Sequence, residues 1–239
     1  MTVTAAQLFT ASEATWPEAR RWQVGPFTLR DGKGGGQRVS AATVNGVFDE
    51  SDLTAAEDAM RAAKQKPLFQ VRDATSALDS ALEVRGYATK DATLLYVLPI
   101  ERLTDTPIPR VTAFNIWEPL AIMKEIWATD GMGPARLDVM ARAKTKTGVL
   151  ARWNEKPAGA AFVGAHENIA MVHGLVVLPD QRRQGVAEWL MRSAAFWGQA
   201  QGATHMAVLC VAANKGANAL YHSLGFEVVG GYHYRLSPE

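Results

Sequence analysis

The feature that most constrains this chain is the run "NIAMVHGLVVLP" at 168–179. Its residues are apolar at both odd and even positions, so a strand here would be buried on both faces. Such a strand sits inside a sheet that is covered on each side. Directly after it comes "PDQRRQGVAEWL", 179–190. A proline and two arginines lead to a single glycine, Gly185, and then Val186, Leu190, Ala194 and Trp197 recur at near-helical spacing. A buried strand that turns through a basic, glycine-containing loop into an amphipathic helix calls for a layered fold of sheet and helices.

The rest of the chain bounds what such a fold can be. It has 239 residues, enough for one large or two small domains. A formal net charge of +1 gives no electrostatic reason to expect nucleic acid or an anionic membrane as partner. The lone cysteine, Cys210, rules out an intrachain disulfide and reads as an inert buried thiol. The stretch "MTVTAAQLFTASEATW" lacks the basic and apolar regions of a signal peptide. No window reaches the roughly 18 apolar residues of a membrane span. A cytoplasmic protein, monomer or homodimer, is expected. The five histidines and Cys210 show no ligand spacing, so no metal is expected. "DGKGGGQ" at 31–37 lacks the Gly-Lys-Ser/Thr ending of a phosphate loop and reads as a turn between the strands "RRWQVGPFTLRDG" and "QRVSAATV".

A linker is expected at "LPIERLTDTPIPR", 98–110, which has three prolines and no apolar period. It divides the chain into 1–105 and 106–239. The halves echo each other: "PLFQVRDATSALDSALEVRGY" and "MAVLCVAANKGANALYHSLGF" both read strand, loop, helix, glycine, aromatic. In that alignment Leu82 stands where Tyr221 stands, and Thr75 where Asn214 stands. The first half has no counterpart of the basic glycine loop.

A helix N-terminus leaves backbone N–H groups unpaired and carries partial positive charge. A glycine there admits close approach of an anion. With Arg182 and Arg183 added, the loop can seat a phosphate or pyrophosphate. The full pattern is Val177-x-Pro179-x-x-Arg182-x-x-Gly185-x-Ala187, and downstream stands "NKGANALYHSLGF", with Asn214, Ala217, Leu220, Tyr221, Leu224, Gly225 and Phe226. The two motifs, in this order and context, resemble those of the GNAT family of N-acetyltransferases over roughly 107–239. The resemblance implies an α+β fold: a mixed central sheet flanked by helices, preceded by a smaller α/β module that reads as a decayed copy.

It also implies acetyl transfer from acetyl-CoA to a small-molecule or peptide amine by direct attack through a tetrahedral intermediate. The cofactor-binding residues would be Leu175, Val176 and Val177 on the strand, then Arg182, Arg183, Gln184, Gly185, Val186, Ala187 and Glu188 at the loop and helix start. Asn214 and Tyr221 would also touch the coenzyme, with Tyr221 as general acid for the departing thiolate. Many relatives carry a glutamate on the strand before the loop as general base. Here that strand has no carboxylate, and His173 is its only titratable group. His173 is therefore the candidate base, with Glu167, Glu125 or relayed water as alternatives. The missing carboxylate keeps open a different reading, a non-catalytic acyl-CoA-binding sensor or partner-binding module.

Overall fold

The computed structural model describes residues 3–73 and 76–238, so Thr75 lies outside the described residues. In chain order the elements of the first half are α1 (Ala5–Thr15), β1 (Arg20–Val24), β2 (Phe27–Asp31), β3 (Thr43–Val44), α2 (Glu50–Ala62), β4 (Leu68–Val71), α3 (Ala77–Val84) and β5 (Ala88–Pro99). The second half adds β6 (Ala113–Ile116), α4 (Ala121–Ala128), α5 (Pro134–Arg142), β7 (Thr145–Trp153), β8 (Lys156–His166), β9 (Ile169–Val177), α6 (Val186–Ala200), β10 (His205–Val211), α7 (Lys215–Ser223) and β11 (Glu227–Leu236). Two compact units result, and neither is a continuous stretch. The first comprises Met1–Pro17, Leu95–Cys210 and Asn214–Gly230, the second Glu18–Leu94, Val211–Ala213 and Gly231–Glu239. The compact units thus do not coincide with 1–105 and 106–239. The expected linker is itself part of the core at its start, where Ile100 and Leu103 are buried.

In the first unit the strand order is β6-β7-β8-β9-β10-β5-β11. Strands β6 to β9 are successive antiparallel neighbours, and β10 joins β9 in parallel. That parallel step needs a crossover, which α6 supplies. Both faces of β9 are covered, as the apolar run demands. Ala170 meets Gly198 of α6, where an added Cβ would lie 2.5 Å from the alanine Cβ. The next residue, Met171, pairs with Gly164, which packs against Thr15 of α1. Alternation along the strand puts these two contacts on opposite faces. Helix α1 was not among the expected elements. It is opened by a capping box, in which Thr4 and Gln7 each bond the other's backbone N–H.

The second unit has a three-stranded sheet, β1-β2-β3, and the strand order β4-β11-β5, which belongs to the same eight-stranded sheet as the order given above. The segment "QRVSAATV" is not one strand. It forms a 3-10 turn, Gln37–Val39, before the short β3. The N–H groups of Ser40 and Ala41 both bond the Gln37 carbonyl, and the buried Arg30 guanidinium bonds the Ala41 carbonyl and Thr43 Oγ1, each at 3.0 Å. Those local bonds outcompete a ladder that the alternating pattern alone would favour. The first half is a GNAT-like module: a bridge in parallel register, Ala42↔Phe69, links the β3 region to β4 around α2, as β9 is linked to β10 around α6. The echo between the halves extends to atoms. Tyr87 N bonds Leu82 O and Phe226 N bonds Tyr221 O, both at 3.0 Å, after glycines with positive φ. The boundary between the units falls within β5, at Leu94/Leu95, and within β11, at Gly230/Gly231.

Candidate active site

Pairing of β9 with β10 runs from Ile169/His205 to Val172/Val208 and then ceases, although β9 continues to Val177 and β10 to Val211. The cause lies in β9. Opposite β8 its register moves from Phe162↔His173 to Ala160↔Val176, so β9 carries one residue too many over this stretch. Such a bulge bends and twists the strand that holds it. Gly174 absorbs it at φ +54°, and its carbonyl accepts the indole N–H of Trp127 at 2.8 Å. The backbone of 173–177 therefore leaves β10 just before the basic loop. Val176 is buried, while Leu175 and Val177 are half-buried.

The loop then presents its amides. Gly185 is the N-cap of α6 in the left-handed conformation, φ 79° and ψ 0°, and no side chain caps the helix. The first N–H groups of a 15-residue helix thus have no side-chain acceptor. A Cβ placed on Gly185 would find only Trp189 Nε1, 4.0 Å away, so the space above the turn is open. Arg182 Nε donates to the Val177 carbonyl at 3.2 Å, which ties the loop back to β9. Gln184 Nε2 donates to the Asp180 carbonyl at 3.0 Å. Arg183 is exposed, Val186 is buried as a core anchor, and Ala187 is half-buried. Glu188 accepts from Arg192 Nε at 3.0 Å, so its carboxylate is engaged one turn along the helix.

Helix α7 follows β10 in the chain. Asn214 is its N-cap, with Oδ1 accepting from Ala217 N at 3.1 Å. Tyr221 is buried, its ring 5.5 Å from that of Tyr96 and 5.8 Å from that of Phe226. Its hydroxyl makes no hydrogen bond to another described residue. Burial, with Cys210 and Tyr96 adding to it, raises the phenol's pKa well above its ordinary value, so Tyr221 is a hydrogen-bond donor at neutral pH. Burial likewise pushes the Cys210 thiol up to about 11, which keeps it neutral. Tyr96 is the residue that sequence reasoning missed. It lies on β5, and in "ATLLYVLP" it is one apolar residue among several.

His173 is buried against Trp16, whose ring centroid is 5.0 Å away, and against Phe162 at 6.1 Å. Its Nε2 lies 2.8 Å from Thr15 Oγ1. Thr15 spends its own hydroxyl proton on the Ala11 carbonyl at 2.7 Å. The Thr15 oxygen must then accept, so Nε2 carries a proton. Glu167 is exposed in the β8–β9 turn, at the end of β9 away from the loop, and Glu125 is exposed on α4. Among the described residues no group of three or more His, Cys, Asp or Glu could hold a metal, and no helix is long and apolar enough to cross a membrane.

A parallel strand pair thus parts in front of an uncapped, glycine-opened helix. Residues 114–226 match the family described as Acetyltransferase (GNAT) family. That match lies within the C-terminal half of the chain. Among solved structures, a GCN5-related N-acetyltransferase from Kribbella flavida superposes with a TM-score of 0.75 at 20% identity, covering 100% of this chain and 97% of the other. A tandem GNAT protein from the clavulanic acid biosynthesis pathway gives a TM-score of 0.61 at 13% identity, over 88% of this chain and 77% of the other. A putative GNAT-family acetyltransferase from Novosphingobium aromaticivorans gives 0.56 at 17%, over 90% and 89%. At these identities the likeness is one of fold. No curated protein matches the chain significantly.

Proposed function

We propose that the chain is an acetyl-CoA-dependent N-acetyltransferase whose chemistry takes place where β9 and β10 part. The observation that carries this reading is the pairing that stops at Val172/Val208 in front of an uncapped α6. Backbone freed from a sheet ladder needs hydrogen-bond partners, and a pantetheine arm has amides to supply them. In this reading the amides of 184–187, with Arg182 and Arg183, hold the pyrophosphate. The backbone of Leu175, Val176 and Val177 holds the arm. Asn214, whose Oδ1 is committed to its helix, contacts the coenzyme through its amide N–H.

The amine nitrogen attacks the thioester carbonyl. A β9 amide stabilises the oxyanion, a contribution worth about 3 kcal/mol in comparable sites. The intermediate collapses, the C–S bond breaks, and the amine's surplus proton must leave as sulfur becomes a thiol. A phenol held above its usual value is a weaker acid than the thiol it would generate. Tyr221 therefore acts first by donating a hydrogen bond to the developing thiolate, and the proton on sulfur is balanced by the one lost from nitrogen. His173 can accept the amine's proton only through Nδ1. Its burial and its bond to Thr15 favour a packing role, with water at the parted strands taking the proton.

The acceptor class is a small-molecule or peptide amine. The test is turnover of acetyl-CoA, followed by thiol release and acceptor mass across a panel of amines. Thiol release matched by an acceptor gain of one acetyl group supports the proposal. Tight coenzyme A binding without turnover favours the non-catalytic sensor, a reading consistent with the absence of a carboxylate on β9.

A further inference from the structure

The geometry points to Tyr96 as a positioning residue for Tyr221. This inference rests on the proposed role of Tyr221 and adds to it a residue from outside the segment that matches the family, 114–226. Tyr96 is fully buried on β5. Its hydroxyl lies 2.8 Å from Asn218 Oδ1 and 3.2 Å from His222 Nε2. The direction of these bonds can be worked out. Asn218 Nδ2 donates to the Asn214 carbonyl at 2.7 Å, which fixes the amide orientation and leaves Oδ1 as acceptor. Tyr96 has one proton, and it goes to Asn218. His222 must then donate from Nε2 to the Tyr96 oxygen. The result is a directed chain from exposed His222 through buried Tyr96 to Asn218 and on to the main chain of Asn214, the N-cap of α7.

Asn218, Tyr221 and His222 stand at i, i+3 and i+4, so they share one face of the helix. The Tyr96 hydroxyl holds the two residues on either side of Tyr221, while the Tyr96 ring packs against the Tyr221 ring at 5.5 Å. One side chain of β5 thus sets both the register of α7 and the tilt of the phenol. The other ring wall, Phe226, has no polar atom with which to fix rotation or register. A hydroxyl that must reach a sulfur atom loses effect with small displacements, since hydrogen bonds weaken steeply with angle.

The test is a double-mutant cycle in the full chain, measuring kcat, KM for acetyl-CoA and coenzyme A affinity. Tyr96→Phe keeps the ring and removes only the tether. It is expected to lower kcat about tenfold, of the order lost when a positioned catalytic group is let go. KM and coenzyme A affinity should stay within about twofold. In a Tyr221→Phe background the same substitution should cost less than about twofold, because no hydroxyl is left to position. Unchanged kcat in Tyr96→Phe, or the same fold-loss in both backgrounds, overturns the proposal. If Tyr221→Phe is itself fully active, the reading of Tyr221 fails and this proposal with it. If Tyr221→Phe is impaired while Tyr96→Phe is not, only this proposal fails. Should Tyr96→Phe not fold, His222→Leu, at an exposed position, removes the outer end of the chain. A loss of about threefold that vanishes in the Tyr221→Phe background upholds the proposal, and a persisting loss or none overturns it.

Discussion

Gly185→Glu puts a side chain and a negative charge into the proposed pyrophosphate seat, and its consequences separate into two parts. The first is backbone strain. At φ 79° a residue with a Cβ costs about 1–2 kcal/mol, a loss of fold stability that does not depend on the ligand. No clash adds to it, since the nearest atom to the new Cβ is Trp189 Nε1 at 4.0 Å. The second part is electrostatic. A carboxylate roughly 5 Å from a phosphate is opposed by about 0.8 kcal/mol in bulk water and about 3 kcal/mol at an effective dielectric of 20. An exposed loop lies nearer the first limit. The carboxylate also competes for the helix amides that the phosphate would use. Together these give about 2 kcal/mol, or roughly a 30-fold rise in Kd. Gly185→Ala carries the strain without the charge and should bind within about threefold of the parent. Isothermal titration with coenzyme A at low and moderate salt reads both, and the glutamate effect should shrink as salt screens it. A folded Gly185→Glu protein with unchanged affinity at low salt would refute the anion seat at this helix end.

Other substitutions probe the remaining groups. Tyr221→Phe should lower kcat about 10- to 100-fold, the worth of one hydrogen bond to a charged group, while leaving coenzyme A affinity within about twofold. Pre-steady-state thiol release distinguishes this from an effect on product release. His173→Gln should act chiefly on stability. Losing the ring between Trp16 and Phe162 is expected to cost about 2 kcal/mol and several degrees of Tm, with kcat/KM of the folded protein falling less than tenfold. A selective kcat/KM loss at unchanged Tm would instead make Nδ1 the base. In the second unit, Arg235 and His233 both bond Asp79, and the Arg235 bond foremost holds its carboxyl below the usual value. That stabilisation is full above the unfolded pKa of about 3.9 and is lost as pH falls through the lower folded value. Asp79→Asn should cost about 3 kcal/mol at neutral pH and flatten the acid limb of a denaturant-derived stability profile. An unaltered acid limb would show that the pair contributes nothing.

The helices that frame the candidate site were legible because their signals are local. Gly185 and the stripe Val186, Leu190, Ala194 mark the start and face of α6, and Asn214 and Gly225 bracket α7. Trp197, placed on the same stripe, is half-buried, and Met191, Ala195 and Gly198 complete the face instead. The apolar run 168–178 announced a central strand, but not that its partner leaves it after Val172. Register is a relation between distant segments, and the residue that breaks it, Gly174, looks like any strand glycine. The same holds for β5 and β11, where nothing local says which neighbour a strand will choose. Tyr96 was invisible for that reason, since its partners lie 122 and 126 residues away. Helix α1 escaped because its apolar residues are few. Leu8 and Phe9 are its only large buried side chains, and small residues such as Ala11, Ser12 and Thr15 make up the rest of its packed face.

The central claim is that parted strands and an uncapped helix hold coenzyme A with its sulfur beside Tyr221. A crystal structure of the chain with coenzyme A tests it most directly. The account predicts the pantetheine arm between β9 and β10, the pyrophosphate on the amides of 184–187, and the sulfur within hydrogen-bond reach of the Tyr221 hydroxyl. Coenzyme bound elsewhere, or seated at 184–187 with its sulfur far from Tyr221, would contradict it.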